Sequence, residues 1–433
     1  MTAPTPASPA RLDVGAGAHV PALDGLRGIA IALVVVYHFY TASSLLTDRP
    51  SFALDRFAAR AFGIGWMGVD LFFVLSGFLI TSILLAARGG GRHAFVAFYA
   101  RRVLRIFPAY YGYLALLIVV LPLVPALASN EDLALLRSHQ AWYWSYLYNV
   151  WIPLRPLTNI GLFGNGHIWS LAVEEQFYLV WPFVVLLTPR RWLPAICALC
   201  VVGAFAFRVA LVNGEVASLH NVYAAIMLTP ARADTFALGA LLAIAARSPE
   251  ALARVRAWCV PALTAGLSVL AGVWVALDGL HAFDDFVQTL GFSIIAFTFA
   301  ALLSVALVAT PGGRAERLFT LPALRFLGRY SYALYLFHLQ VALLVVNRMG
   351  AAGWQLPLAG GSAIPARLAF TAAGAGVSVA LAYASWHLYE QHFLKLKRFF
   401  PYRARGDQEA SRAAAPASSA VDTGEPLPAE VAP

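Results

Sequence analysis

The stretch that decides the fold class is residues 23–39, which read LDGLRGIAIALVVVYHF. After Asp24 and Arg27 the chain continues to residue 42 as an apolar run, and His38 is the one group in that run that titrates near neutral pH. An α-helix rises about 1.5 Å per residue, so about 20 apolar residues cross the roughly 30 Å of hydrocarbon in a bilayer. The stretch therefore predicts a transmembrane helix that carries an arginine and a histidine.

The rest of the chain has the same apolar character. Of its 433 residues 60% are hydrophobic and 12% are charged, whereas roughly 25% are charged in soluble proteins. The mean hydropathy is +0.70. This composition excludes a soluble fold, and the continuous apolar runs exclude a membrane β-barrel, whose strands alternate polar and apolar residues. The net charge of +9 lies mostly between the apolar runs, which indicates membrane topology and no nucleic-acid partner.

About ten stretches are apolar and long enough to be predicted as transmembrane helices. Ten crossings place both termini on one side, and the arginine-rich loops assign that side to the cytoplasm. We therefore expect an all-α, polytopic membrane protein with both termini in the cytoplasm. Its transmembrane domain at 21–395 would lie between disordered segments at 1–20 and 402–433, and no signal-peptide pattern begins the chain. The predicted helices are at 23–42, 66–87, 104–125, 166–188, 192–212, 230–247, 258–278, 284–309, 327–347 and 367–390.

Arg27 and His38 are predicted to share one face of the first helix. Eleven residues turn an α-helix by about 1100°, which is three turns plus about 20°, and they rise about 16 Å. Arg27 would then lie at the cytoplasmic end of the helix and His38 near the middle of the bilayer. Ionisable groups at this depth are costly and usually functional. The alternative is that His38 makes a single hydrogen bond between helices.

The fourth predicted helix carries a carboxylate on an aromatic face. Glu174 lies about two turns from its outer end, and Tyr178 follows four residues later on the same face. A carboxylate at this depth is a candidate functional group. The alternative is that Glu174 forms a structural ion pair, for example with Arg208 or Arg232.

The third predicted helix begins among five arginines on the cytoplasmic side. Arg102 and Arg105 are three residues apart, so their side chains adjoin on one helix face. Guanidinium groups bind phosphate well, and the pair therefore suits a phosphate-bearing ligand. The alternative is that these charges serve membrane topology alone.

Three further residues are candidates for substrate binding. Asp70 lies at the outer end of the second predicted helix, Trp169 could pack against a sugar ring as Tyr178 could, and His338 lies near the middle of the ninth helix. A packed core histidine is the alternative for His338. No spacing of histidine, cysteine or carboxylate residues indicates a metal site, and the pair Cys197 and Cys200 falls inside an apolar run.

Six segments, in this order, resemble the membrane acyltransferase 3 family of O-acyltransferases. The family modifies bacterial polysaccharides, lipopolysaccharide, peptidoglycan, lipid-linked oligosaccharides and some macrolides. The resemblance covers about residues 21–393, and six segments in the family order make chance agreement improbable. The segments are LDGLRGIAIALVVVYHF, GVDLFFVLSGFLIT, RRVLRIFPAYY, GHIWSLAVEEQFYLVWP, RADTFALGALLA and GRYSYALYLFH.

The resemblance implies an enzyme of the bacterial cytoplasmic membrane that takes an acyl group, often acetyl, from cytoplasmic acyl-CoA to a carbohydrate or glycolipid hydroxyl. The family's Arg-x10-His motif falls on Arg27 and His38, and its histidine is the proposed catalytic residue. The family's paired basic motif, which is proposed to handle the donor, falls on Arg102 and Arg105. Its acidic position matches Glu174. A second transfer step would need a separate periplasmic acyl-handling protein.

Two questions stay open at the level of sequence. His38 could deprotonate the acceptor hydroxyl or accept the acyl group itself. A secondary transporter would also place histidine and glutamate in the middle of the membrane, although transporters often show two related halves, which this sequence does not. Acylation of a small secondary metabolite such as a macrolide is a further alternative.

Overall fold

The fold is a bundle of helices. The computed structural model describes residues 20–47, 52–125, 131–154, 166–216 and 222–402, so the two predicted terminal segments lie almost entirely outside the described residues. No β-strand occurs in the described ranges. The α-helices are α1 Pro21–Ala42, α2 Ala53–Gly63, α3 Gly68–Ala87, α4 Gly91–Ala115, α5 Glu131–Ser138, α6 Gln140–Trp144, α7 Tyr148–Trp151, α8 Trp169–Leu187, α9 Leu193–Val212, α10 Ala224–Met227, α11 Ala233–Ala245, α12 Pro249–Ala276, α13 Phe292–Leu307, α14 Arg314–Phe319, α15 Pro322–Arg329, α16 Ser331–Ala351, α17 Ile364–Ser385 and α18 Gln391–Leu394.

Within the described part of the chain, nine helical segments are long and apolar enough to cross a membrane. They confirm the prediction of an all-α, multi-pass membrane protein. The nine segments are Pro21–Leu46, Ala53–Ala87, Gly91–Leu123, Gly166–Leu187, Arg190–Val212, Pro249–Ala276, Val287–Leu307, Ser331–Ala351 and Ile364–Phe399.

The sixth predicted helix, at 230–247, is shorter than expected. It consists of a 3₁₀ turn, Thr229–Arg232, followed by the 13 residues of α11. Arg232 at its start is bound to Asp70 of α3, and Arg247 after its end donates to the carbonyl oxygen of Ser82. α11 therefore runs beside α3 over residues 70–82. α3, α9 and α13 surround α11. Because the polar groups at its ends are in contact with protein and not with lipid, α11 does not have to be long enough to cross the whole hydrocarbon layer.

α3 and α11 approach closely because glycines face each other's backbone. A Cβ atom at Gly77 would overlap the carbonyl oxygen of Phe236, and one at Gly239 would overlap that of Val74. Small residues at helix crossings allow such contact within membranes, where van der Waals packing drives association. The pair α3–α11 forms the centre of the bundle, whereas α12 exposes most of its apolar surface.

The loops that the sequence predicts to be cytoplasmic gather at one end of the bundle. Arg88, after α3, donates to the carbonyl oxygen of Thr188, after α8, at 2.7 Å. Arg101 donates to the carbonyl oxygen of Lys397 at 3.1 Å, which brings the segment after α18 to the same end. At the opposite end, Trp66 donates to the carbonyl oxygen of Leu280 at 3.0 Å. The segments after α3, α8 and α18 therefore lie together at one end, and those before α3 and after α12 lie together at the other.

Candidate active site

A cavity opens between α1, α3, α4, α8 and α16. Its empty space, including the opening, is about 740 Å³. It brings together five of the nine candidate site residues, namely Arg27, Arg102, Arg105, Glu174 and Tyr178. The other lining residues are Val69, Phe72, Phe73, Ser76, Leu79, Ile80, Ile106, Ser170, Leu171, Ser331, Tyr332 and Tyr335.

One wall of the cavity is cationic. The guanidinium groups of Arg102 and Arg105 have no hydrogen-bond or ion-pair partner among the described residues, although Arg102 stacks on the ring of Tyr178 at 5.3 Å. Arg27 pairs with Asp24 at 3.2 Å, three residues earlier in α1. Two unpaired guanidinium groups that face an open cavity present donors and charge to an anionic ligand.

Glu174 lies on the facing helix, α8, in a chain of hydrogen bonds. The hydroxyl of Ser76 donates to its carboxylate at 2.7 Å and lies 3.0 Å from the Tyr178 hydroxyl. Because the single proton of Ser76 serves the carboxylate, the Tyr178 hydroxyl donates to Ser76. The chain fixes the carboxylate beside the cationic wall.

One alternative considered from the sequence was that Glu174 forms a structural ion pair with Arg208 or Arg232. That alternative is wrong. Arg208 pairs with Asp234 at 2.8 Å, and Arg232 is bound to Asp70. Both pairs are fully buried, as costly charges inside a membrane protein usually are. Glu174 is therefore free of them and faces the cavity.

At its deeper end the cavity reaches Tyr335. The Tyr335 hydroxyl donates to the carbonyl oxygen of His167 at 2.8 Å and lies 2.6 Å from the Ser170 hydroxyl. Behind this tyrosine lie three histidines. The ring of His338 is 5.5 Å from that of Tyr335, 5.2 Å from that of His167 and 5.0 Å from that of His38.

His38 is thus close to the cavity but not among its lining residues. Two ring contacts, Tyr335 to His338 and His338 to His38, lead from the cavity wall to it. His38 is partly exposed, whereas His338 is fully buried. The arrangement places the imidazole of His38 behind two rings, those of Tyr335 and His338, as seen from the space in which a ligand can lie.

The remaining candidates lie outside the cavity lining. Asp70 is buried and bound to Arg232, and Trp169 packs its ring against that of Phe73 at 6.0 Å. His338 is a buried neighbour of His38. Substrate contacts by Asp70, Trp169 and His338 stay predictions, and a bound ligand would have to reach them past the present walls.

The structure adds site residues that sequence reasoning missed. Ser76 and Tyr335 lie within the quoted family segments. Ser76 directly precedes Gly77, and Tyr335 lies three residues before His338, so the sequence did offer a signal for both. The segment after α18 gave no such signal. It crosses the start of α4, where Arg101 donates to the carbonyl oxygens of Lys397 at 3.1 Å and Phe400 at 3.3 Å.

This crossing brings Lys397 near the cationic wall, although Lys397 does not line the cavity. Lys397 is half-buried, whereas Lys395 and Arg398 on either side are exposed. A cluster of cations is stabilised when an anion binds between its members.

The described residues hold no cluster of three or more histidine, cysteine or carboxylate side chains that could bind a metal ion. What the cavity offers is a cationic wall, a positioned carboxylate and a nearby imidazole. These groups can bind a polyanion, hold a hydroxyl and move a proton.

The comparisons with known proteins agree with this chemistry. The family model described as an acyltransferase domain matches residues 20–387. A peptidoglycan O-acetyltransferase of Listeria monocytogenes is 29% identical over 338 residues, which are 74% of this chain and 49% of that protein. A putative peptidoglycan O-acetyltransferase of Bacillus subtilis is 30% identical over 352 residues, with coverage of 75% and 49%.

A third relative, an O-acetyltransferase of Staphylococcus aureus, is 29% identical over 347 residues, which are 76% of this chain and 51% of that protein. The chain thus spans about half the length of the curated relatives that it matches. No solved structure matches it. Because the family match covers most of the helical bundle and includes the whole cavity, the chain belongs to the membrane acyltransferase 3 family.

Proposed function

We propose that the protein is an O-acyltransferase of the bacterial cytoplasmic membrane. It moves an acyl group, most simply acetyl, from cytoplasmic acyl-CoA to a hydroxyl of a cell-surface or lipid-linked carbohydrate. The observation that carries the proposal is the pair of unpaired guanidinium groups, Arg102 and Arg105, in a cavity that the rings of Tyr335 and His338 separate from His38.

The donor would bind at the cationic wall. CoA carries several phosphate charges at one end and its thioester at the end of a long flexible arm. Arg102, Arg105 and Lys397 would hold the phosphates at the predicted cytoplasmic end of the bundle. The arm would then extend between α3 and α16 towards Tyr335, because the deeper lining residues such as Phe72 and Leu79 are apolar.

The transfer step needs a base near the thioester. The acceptor hydroxyl oxygen attacks the thioester carbonyl, a C–O bond forms, and the C–S bond breaks to release the CoA thiolate. His38 would take the hydroxyl proton and return it to the departing sulfur. In the alternative, an imidazole nitrogen of His38 attacks first, and the acceptor hydroxyl then displaces the acyl group from it.

The acceptor would approach from the opposite side, past Glu174. The relatives' names specify peptidoglycan, and we propose a carbohydrate acceptor of that general class. Glu174 can accept hydrogen bonds from sugar hydroxyls, and Tyr178 can pack on a sugar ring. CoA is too polar to cross the bilayer, so only the acyl group would change sides.

Sealed vesicles of known orientation test this proposal. Acyl-CoA is supplied to the cytoplasmic face alone, and a membrane-impermeant acceptor to the opposite face alone. We expect an ester product in this arrangement and none when the two sides are exchanged. Product that forms only when both substrates share the cytoplasmic face would refute transfer through the membrane.

A comparison of cells identifies the acceptor. Mass spectrometry of surface glycans and glycolipids, with and without the gene, should show one ester that is lost with the gene and restored by the wild-type chain. The His38→Ala variant is the matched control and should not restore it. An unchanged ester inventory would contradict the assignment of a carbohydrate acceptor.

A further inference from the structure

The hydrogen bonds of His338, together with the carbonyl oxygen of Val34, determine which nitrogen of His38 carries a proton. Nδ1 of His338 lies 2.7 Å from the carbonyl oxygen of Tyr335 and 3.1 Å from that of Leu334. A carbonyl oxygen can only accept a hydrogen bond, so Nδ1 of His338 carries the proton in the neutral ring. Nε2 of His338 is then unprotonated and carries a lone pair.

That lone pair faces His38. Nε2 of His338 lies 3.0 Å from Nδ1 of His38. Nδ1 of His38 also lies 3.0 Å from the carbonyl oxygen of Val34. Both neighbours are acceptors, so Nδ1 of His38 must be the donor, and its proton is shared between them.

From this geometry we infer that His338 is a positioning residue that holds His38 in the Nδ1–H tautomer, with Nε2 unprotonated and available for chemistry. The inference deepens the proposed acyl transfer and rests on it for its functional meaning. The hydrogen bond made by one ring nitrogen generally decides which form the other takes, and an enzyme base needs this choice made before substrate arrives.

The same contact assists the step in which His38 is charged. When Nε2 of His38 takes the proton of the acceptor hydroxyl, the ring becomes cationic and its Nδ1–H donates more strongly. Nε2 of His338 is already in place to accept that bond. A carboxylate serves this purpose in many hydrolases, whereas here a neutral ring does so without a fixed charge in the membrane interior.

His167 provides a built-in comparison. Its ring lies edge-on to His338 at 5.2 Å, and its Nε2 lies 3.3 Å from the carbonyl oxygen of Leu336. His167 is buried like His338, yet none of its hydrogen bonds reaches His38. A change at His167 therefore alters the packing of the cluster without removing the acceptor of His38.

Nitrogen-15 solid-state NMR of the full chain in lipid reads the tautomer directly. The His38 signals are assigned by their loss in His38→Ala. We expect a protonated Nδ1 and an unprotonated Nε2 in the wild type and in His167→Gln. In His338→Leu the carbonyl oxygen of Val34 still accepts from Nδ1, so we expect Nδ1–H to remain present with an increased share of the Nε2–H tautomer. A wild-type His38 protonated at Nε2 would overturn the inference, whether or not the protein transfers acyl groups.

Kinetics test the functional consequence separately. His338→Leu should lower kcat at least about tenfold and leave the KM for acyl-CoA within about twofold, because the donor phosphates lie elsewhere. His338→Gln places an amide oxygen where Nε2 lay and should recover part of kcat. Equal loss in both variants, with the wild-type tautomer retained in both, would contradict the positioning role.

Discussion

Replacing Arg105 with glutamine should weaken the use of acyl-CoA while leaving the chemistry intact. Arg105 lines the cavity and has no hydrogen-bond or ion-pair partner among the described residues. Unlike Arg102, its guanidinium group stacks on no described ring, so the substitution removes a candidate ligand contact without removing a ring contact. Arg105→Gln is therefore the cleaner test of the cationic wall.

The magnitude follows from the bond that would be lost. A hydrogen bond to a charged group contributes about 1.5–3 kcal/mol, and each 1.4 kcal/mol is about tenfold in a binding constant. We expect the donor KM to rise about 10- to 150-fold. Because the phosphates are remote from the thioester, the contact has the same strength in ground and transition states, and kcat should change little.

The assay varies acyl-CoA at a fixed, saturating acceptor concentration in reconstituted membranes. Arg92→Gln is the matched control, since Arg92 lies on the same helix, is exposed and does not line the cavity. The control should keep the wild-type donor curve. An unchanged donor KM in Arg105→Gln, or an equal rise in both variants, would return Arg105 to a role in topology alone.

Four further changes have defined outcomes. His38→Ala should abolish acyl transfer at unchanged protein abundance, and product at the wild-type rate would remove His38 from the mechanism. Glu174→Gln should raise the acceptor KM more than the donor KM, as bisubstrate kinetics would show; a selective donor effect would contradict its placement. Asp70→Ala leaves Arg232 buried without its carboxylate and should destabilise the protein by about 3–5 kcal/mol, measured as loss of thermal stability in detergent. Gly77→Val should prevent α3 and α11 from packing, so a folded variant of wild-type stability would contradict the close approach.

The fold was predictable because the bilayer simplifies the problem. Every long apolar run must become a helix to satisfy its own backbone, and hydropathy alone locates such runs. The exception was α11, whose 13 residues fall short of a full crossing. Its length depends on the helices around it, and a window of local hydropathy contains no information about neighbours that are distant in sequence.

The arrangement of the candidate site was predictable for residues that lie on the same helix. Arg102 and Arg105 adjoin because they are three residues apart, and both line the cavity. The contacts of His38 were not predictable, because His338 lies 300 residues away in the chain. The shared face of Arg27 and His38 is also only part of the answer: Arg27 lines the cavity, whereas Tyr335 and His338 separate His38 from it.

The two buried ion pairs have a consequence for biogenesis. Asp70 and Arg208 are synthesised before α11, and their partners Arg232 and Asp234 both arrive with it. Until then α3 and α9 each hold an uncompensated charge, which opposes insertion by up to about 3 kcal/mol per group. The segment of Arg232 and α11 neutralises the charges of Asp70 and Arg208 together, so we expect α3 and α9 to pack stably only after this segment has entered the membrane. A chain arrested before residue 232 would remain loosely assembled and open to membrane proteases.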